Sequence, residues 1–227
     1  MAVRYNPKTV SDGLLFMADA ANVRSYPGTG TSFFDISGNE NNSESFTNVT
    51  SSNWDGISFE FNGTDEHIRF PNVTTNTNSF SVECWANWST LTDSRVPFGL
   101  GAFFRFYLSG GSPSFWVRET GSGTTQATTY SGSSIDANEW YHLVGTCQGG
   151  SGGSIKLYSD GVFGSSNNIN FNVDTGTSDP NMYIGNAFNG STSHFPGKVS
   201  IAKVYNRVLT DEEVFGNYNA LKGRFGL

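Results

Sequence analysis

The sequence predicts an all-β fold: a two-sheet antiparallel sandwich with one short helix near the C-terminus. Three observations carry that prediction. Strand-length segments alternate apolar and polar side chains, turn residues separate them, and the composition favours strands, with 15% aromatic residues, 27 Gly and only 15% charged residues. Alternation at every second residue places one set of side chains on each face of a sheet, which is what two packed sheets need. The 227 residues suit one domain, taken as residues 13–222 between an N-terminal arm, 1–12, and a tail, 223–227. A chain of this length buries roughly 70–75% of its unfolded surface, so its core needs no disulfide or metal.

Taken in order, Ile57, Phe59 and Phe61 alternate with polar partners, Asn62-Gly63-Thr64-Asp65 turns the chain, and His67, Ile68 and Phe70 follow, which predicts a hairpin over residues 56–70. The next strand sets Phe80, Val82, Cys84, Ala86 and Trp88 on one face against Ser81, Glu83, Trp85 and Asn87 on the other. A large aromatic on each side predicts that both faces are covered at Trp85. Strands follow over residues 96–108, 114–119, 124–130, 140–147 and 155–159. Asp160-Gly161 is the sharpest hairpin signal, and the Gly/Ser run 148–154 reads as a hairpin loop rather than an interdomain linker. Residues 182–185 and 198–206 supply the last strands, the latter alternating Val199, Ile201 and Lys203 against Ser200, Ala202 and Val204. Thr210 and Glu213 form a capping box flanked by Leu209 and Val214 at staple positions, so a helix should begin at Asp211. Val214, Phe215, Tyr218 and Leu221 give that helix an apolar side.

Acidic residues outnumber basic ones 20 to 13, a formal charge of −7 that disfavours nucleic acid and anionic membranes as partners. No apolar run is long enough to span a bilayer, and the N-terminal residues lack the apolar core of a secretory signal. The two cysteines, Cys84 and Cys147, fall in strands and are expected as buried free thiols.

Four separated segments carry a family resemblance. They are GLLFMADAANVRSYPGTGTSFFDISGNENN, FEFNGTDEHIRF, the pair SFSVECWANW and EWYHLVGTCQGGSGGSIKLYSDG, and MYIGNAFNGSTSHFPGKVSIAKVYNRVLTDEEV. Together they resemble the laminin-G-like, concanavalin A-like lectin/glucanase jelly rolls, over nearly everything after residue 12. SYPGTGT and YNALKGRFGL are similar to the subset of these domains found in tailed-bacteriophage virions. That resemblance implies a non-enzymatic structural module on the virion surface, as head decoration, tail or fibre protein, made in the host cytoplasm and partnered by other virion proteins or further copies of itself. The alternative it implies is a lectin-like adhesin for host surface polysaccharide.

The residues bear on chemistry as follows. Glucanases of this fold use a strand with carboxylates at alternate positions, and no such strand occurs here. Asp211, Glu212 and Glu213 sit where acids favour a helix N-terminus. No nucleophile elbow, zinc helix or Cys-x-x-Cys pair is present, so no catalytic residue is assigned. His67, His142 and His194 lie on different elements and read as structural or surface groups. Calcium is the one cofactor the family suggests, with Asp35, Asn39 and Asn41 in one loop and Asp65 in another as oxygen donors. The competing reading is an Asx-rich turn that bonds its own backbone. Glycan or partner contact falls on Arg95, Arg105, Tyr107, Trp116, Arg118 and Tyr130, aromatic platforms beside basic groups, with loops around 109–113 and 120–125. Assembly contact falls on Tyr5 and Val10 of the arm and on Phe225 and Leu227 of the tail.

Overall fold

The computed structural model describes residues 8–73, 78–101, 103–121, 123–132, 134–173, 181–187 and 193–227. Among these residues fourteen strands form two antiparallel seven-stranded sheets. The strands are β1 (Leu14–Asp19), β2 (Ser45–Thr47), β3 (Phe59–Asn62), β4 (His67–Phe70), β5 (Ser79–Trp88), β6 (Phe98–Leu100) and β7 (Phe104–Ser109). They continue with β8 (Ser112–Arg118), β9 (Thr125–Thr129), β10 (Trp140–Gln148), β11 (Gly153–Ser159), β12 (Val162–Ile169), β13 (Met182–Ile184) and β14 (Pro196–Tyr205). The first sheet runs β1-β14-β5-β10-β11-β12 with β3 also paired to β14, and the second runs β2-β4-β13-β6-β7-β8-β9. The helix α1 (Asp211–Leu221) continues into a 3-10 turn at Lys222–Phe225.

The core lies between the sheets and is largely aromatic. Phe16, Phe59, Phe70, Phe80, Trp88, Phe98, Phe104, Phe106 and Phe115 are all buried in one contiguous cluster. Edge-on ring pairs such as Phe16–Phe70 at 4.9 Å and Tyr26–Phe59 at 4.7 Å fill it with favourable quadrupole geometry. Gly145 of β10 makes room for Phe115 of the facing sheet: a Cβ there would sit 2.5 Å from the ring. Cys84 and Cys147 are both buried free thiols, and burial pushes the Cys147 thiol up to about 12.

β5 is buried on both faces. Its core face carries Phe80, Val82, Cys84, Ala86 and Trp88, while Trp85 on the opposite face is covered by the C-terminal segment. The Trp85 ring stacks on Phe225 at 4.2 Å and on Tyr218 at 5.9 Å. The helix begins at Asp211 with the Thr210–Glu213 capping box formed, and Leu209 and Val214 are buried together. Asp160-Gly161 makes the β11–β12 turn with φ of 52° and 77°, and Gln148 pairs with Ser154 across the Gly/Ser loop.

Four local expectations are corrected. Residues 56–70 do not form a hairpin, because β3 pairs with β14 and β4 with β2 and β13, so the turn carries the chain from one sheet to the other. The Asn62 side chain accepts from Thr64 N–H, Glu66 accepts from Asn62 N–H at 2.7 Å, and Gly63 at φ 74° packs against Pro196. In β14 a register shift between Val199 and Ile201 switches the parity. Val199, Ala202 and Val204 therefore face the core, and Ile201 and Lys203 face outward. On α1 the buried positions are Val214 and Asn217, and Phe215 is 52% exposed. Finally, 109–113 is no long loop, because Gly110-Gly111 is a two-residue turn between paired Ser109 and Ser112.

Candidate functional site

Strand alternation in the second sheet builds an outward face with a distinct composition. In β7, Phe104, Phe106 and Leu108 point into the core, which turns Arg105 and Tyr107 outward. In β8, Phe115 and Val117 are core residues, which turns Ser114, Trp116 and Arg118 outward. Register aligns them: Arg105 stands opposite Trp116, Trp116 opposite Ala127, Tyr107 opposite Ser114, and Arg118 opposite Thr125. The Arg105 guanidinium lies 4.4 Å from the Trp116 ring centroid and 5.7 Å from that of Tyr107. Burial pulls the Arg105 guanidinium below its ordinary pKa. Arg118, half-buried beside Gly123, forms no ion pair among the described residues. Ser114 and Thr129 hydroxyls bond each other at 2.8 Å on the same face.

No Asp or Glu occupies an outward position of β6 to β9, in a chain with 20 acidic residues. The face offers guanidinium donors, hydroxyls and two aromatic planes. Such a surface stacks on a flat apolar patch of a ligand and donates to its oxygens.

Four of the six residues expected at a ligand contact are thus brought together: Arg105, Tyr107, Trp116 and Arg118. Arg95 is half-buried in the connection before β6. Tyr130 lies elsewhere, in a cleft of about 340 Å³ with Ser134, Ile135, Asp136, Tyr141, Ser159 and Asp160. Sequence reasoning did not find that cleft, since its lining comes from three strand ends that only the sandwich brings together. Within it, Asp160 Oδ1 accepts the His142 backbone N–H at 2.9 Å, and the Tyr141 hydroxyl accepts the Asp136 backbone N–H at 2.8 Å.

The loop expected to hold calcium has the hydrogen bonding of an Asx-rich turn. Asp35 Oδ1 accepts the Met17 and Ser37 N–H groups, and Oδ2 accepts the Ser37 hydroxyl and the Asn41 N–H, so four donors occupy its lone pairs. Asn39 and Asn41 donate their amides to the Leu14 and Leu15 carbonyls, and Asp65 bonds instead to Asn48 and Asn62. A Ca²⁺ ion takes roughly six to eight oxygens, and the Asp35 and Asp65 carboxylates among the expected ligands already accept protein hydrogen bonds. Among the described residues no three His, Cys, Asp or Glu side chains form a metal-holding group.

The fold does pair two histidines that are distant in sequence. His67 and His194 are buried with ring centroids 5.7 Å apart, His67 also lying against Tyr183, whereas His142 sits on the other sheet beside Glu83. Burial first, then electrostatic repulsion from the neighbouring His194 and Arg69, hold His67 down at about 4.

Of the assembly residues, Val10 donates its N–H to Asn217, and Phe225 is stacked on Trp85 and packs at a tilt against Trp140 of its own chain. Leu227 is 47% exposed, and Tyr5 lies outside the described residues. Among the described residues no helix is long and apolar enough to cross a membrane.

Comparison with known proteins supplies the family. Residues 62–215 match the model of the concanavalin A-like lectin/glucanases superfamily. The binding domain of Paraclostridial Mosquitocidal Protein 1 superposes with a TM-score of 0.66 at 15% identity, over 92% of this chain and 52% of that one. The receptor-binding domain of botulinum neurotoxin C/D mosaic serotype gives 0.66 at 12% identity, with the same two coverages. The binding domain of botulinum neurotoxin DC, solved in complex with rat synaptotagmin II, gives 0.64 at 12% identity, over 94% of this chain and 52% of that one. The chain thus spans about half the length of these structures, and at such identities the likeness is one of fold. No curated protein matches the chain.

Proposed function

Because the chain belongs to the concanavalin A-like lectin/glucanases superfamily, we propose that it is a non-enzymatic binding module that recognises a saccharide on the outward face of β7 and β8. One observation carries this: the Arg105 guanidinium stacked at 4.4 Å on Trp116, flanked by Tyr107 and Arg118 on a face without acids. Aromatic planes bind the apolar face of a sugar ring. Guanidinium forks donate in pairs to carboxylate or sulfate, so the face favours an acidic saccharide over a neutral one. The similar structures are themselves binding domains, which supports recognition over catalysis.

The setting is a virion surface, on the resemblance of SYPGTGT and YNALKGRFGL to phage domains. There the module acts as an adhesin for host polysaccharide. A glycan array probed with the wild-type chain and with Trp116→Ala tests the reading. Saturable binding that favours acidic glycans, and that weakens about 30-fold or more in the variant, is expected from the ~2 kcal/mol that a hot-spot aromatic carries. Binding that survives the substitution, or its complete absence with the wild type, contradicts it.

A further inference from the structure

On the opposite sheet the outward faces of β5 and β14 place Glu83 directly across from Lys203, and α1 lays Asn217 over the pair. All three side chains are fully buried. Lys203 Nζ donates to Glu83 Oε1 at 2.7 Å, and Asn217 Nδ2 donates to Glu83 Oε2 at 2.7 Å, so a single carboxylate holds an amine and an amide side by side. Asn217 Oδ1 accepts the Val10 N–H at 2.7 Å, which fixes the amide's orientation and polarises its carbonyl. The Tyr205 hydroxyl accepts a second bond from Asn217 Nδ2 at 3.1 Å, and His142 Nε2 lies 3.2 Å from Glu83 Oε1. Burying an ion pair this completely is a weak source of stability, since desolvation offsets much of its attraction.

We infer that this cluster forms an isopeptide bond between Lys203 and Asn217, with Glu83 as the proton shuttle. Glu83 takes one proton from the Lys203 ammonium along their hydrogen bond. The freed amine attacks Asn217 Cγ, and the Val10 N–H stabilises the charge that develops on Oδ1. Glu83 passes its proton to Nδ2, the Cγ–Nδ2 bond breaks, and ammonia leaves. Glu83 then takes the remaining surplus proton from the Lys203 nitrogen and ends as a neutral acid. One amide replaces another, so the reaction needs no oxidant, reductant or cofactor. The product ties β14 covalently to α1.

The test is mass spectrometry of the purified full chain. The expected result is an intact mass below that of the sequence by one ammonia, and a branched tryptic peptide joining residues 199–207 to 208–222, uncut after Lys203. Glu83→Gln, which keeps the shape and loses the shuttle, should restore the full mass and linear peptides. Should that variant fail to fold, the wild-type digest decides alone. Linear peptides cut after Lys203 overturn the inference, as does an ammonia loss that maps to a ring-closed asparagine in an unbranched peptide.

Discussion

His67 shows how a single side chain acquires a property its sequence neighbours do not announce. It reads as one of three scattered histidines, yet the second sheet buries it against Tyr183 and His194, and its pKa falls to about 4. The folded state therefore binds fewer protons than the unfolded state wherever pH lies between that value and the ordinary 6.5. Stability from this residue is complete above pH 6.5 and is lost progressively as pH falls toward 4. Urea unfolding from pH 7.5 to 4.5 should show this decline, and His67→Gln should flatten it. An equal decline in both proteins would assign it to other groups. Arg105 and Trp116 were legible individually as a basic group and an aromatic. Their stacking was not, because it depends on the β7–β8 register, which two glycines at the turn set.

Elements were legible where local chemistry determines them and illegible where a partner does. The capping box at Thr210 and the Asp160-Gly161 turn are written in adjacent residues, and both form as read. Which sheet β3 and β4 join depends on β14 and β13, more than a hundred residues later, so a turn rich in Asn and Gly was indistinguishable from a hairpin. The bulge that switches parity in β14 had no local mark either. Two predictions belong to this scale. Gly145→Ala drives a methyl into the Phe115 ring and should cost about 1–3 kcal/mol in chemical denaturation, the usual penalty of overpacking. A cost near zero would mean that the sheets can separate locally. Phe225→Ala uncovers Trp85 and should lower stability by about 2 kcal/mol, with a red shift of tryptophan emission. Unchanged stability together with lost assembly would instead assign Phe225 to contact with a neighbouring molecule.

Across the whole molecule the two sheets differ in how their outward faces are covered. The outward face of the first is closed by α1, the 3-10 turn and Val10, which seal Trp85 and the Glu83–Lys203 pair from water. The second sheet leaves Arg105, Tyr107, Trp116 and Arg118 half-buried on its outward face, the surface proposed for the saccharide. The sandwich itself was legible from alternation and composition. This difference between the two faces was not, because it needs the C-terminal segment folded back on one particular sheet. The most direct measurement is a calorimetric titration of an acidic oligosaccharide selected on the array into the wild-type chain and into Arg105→Ala and Trp116→Ala. Each substitution should weaken binding by about 30-fold while leaving the unfolding midpoint within a few degrees of wild type. An affinity unchanged in both variants would place the binding surface elsewhere and contradict the account.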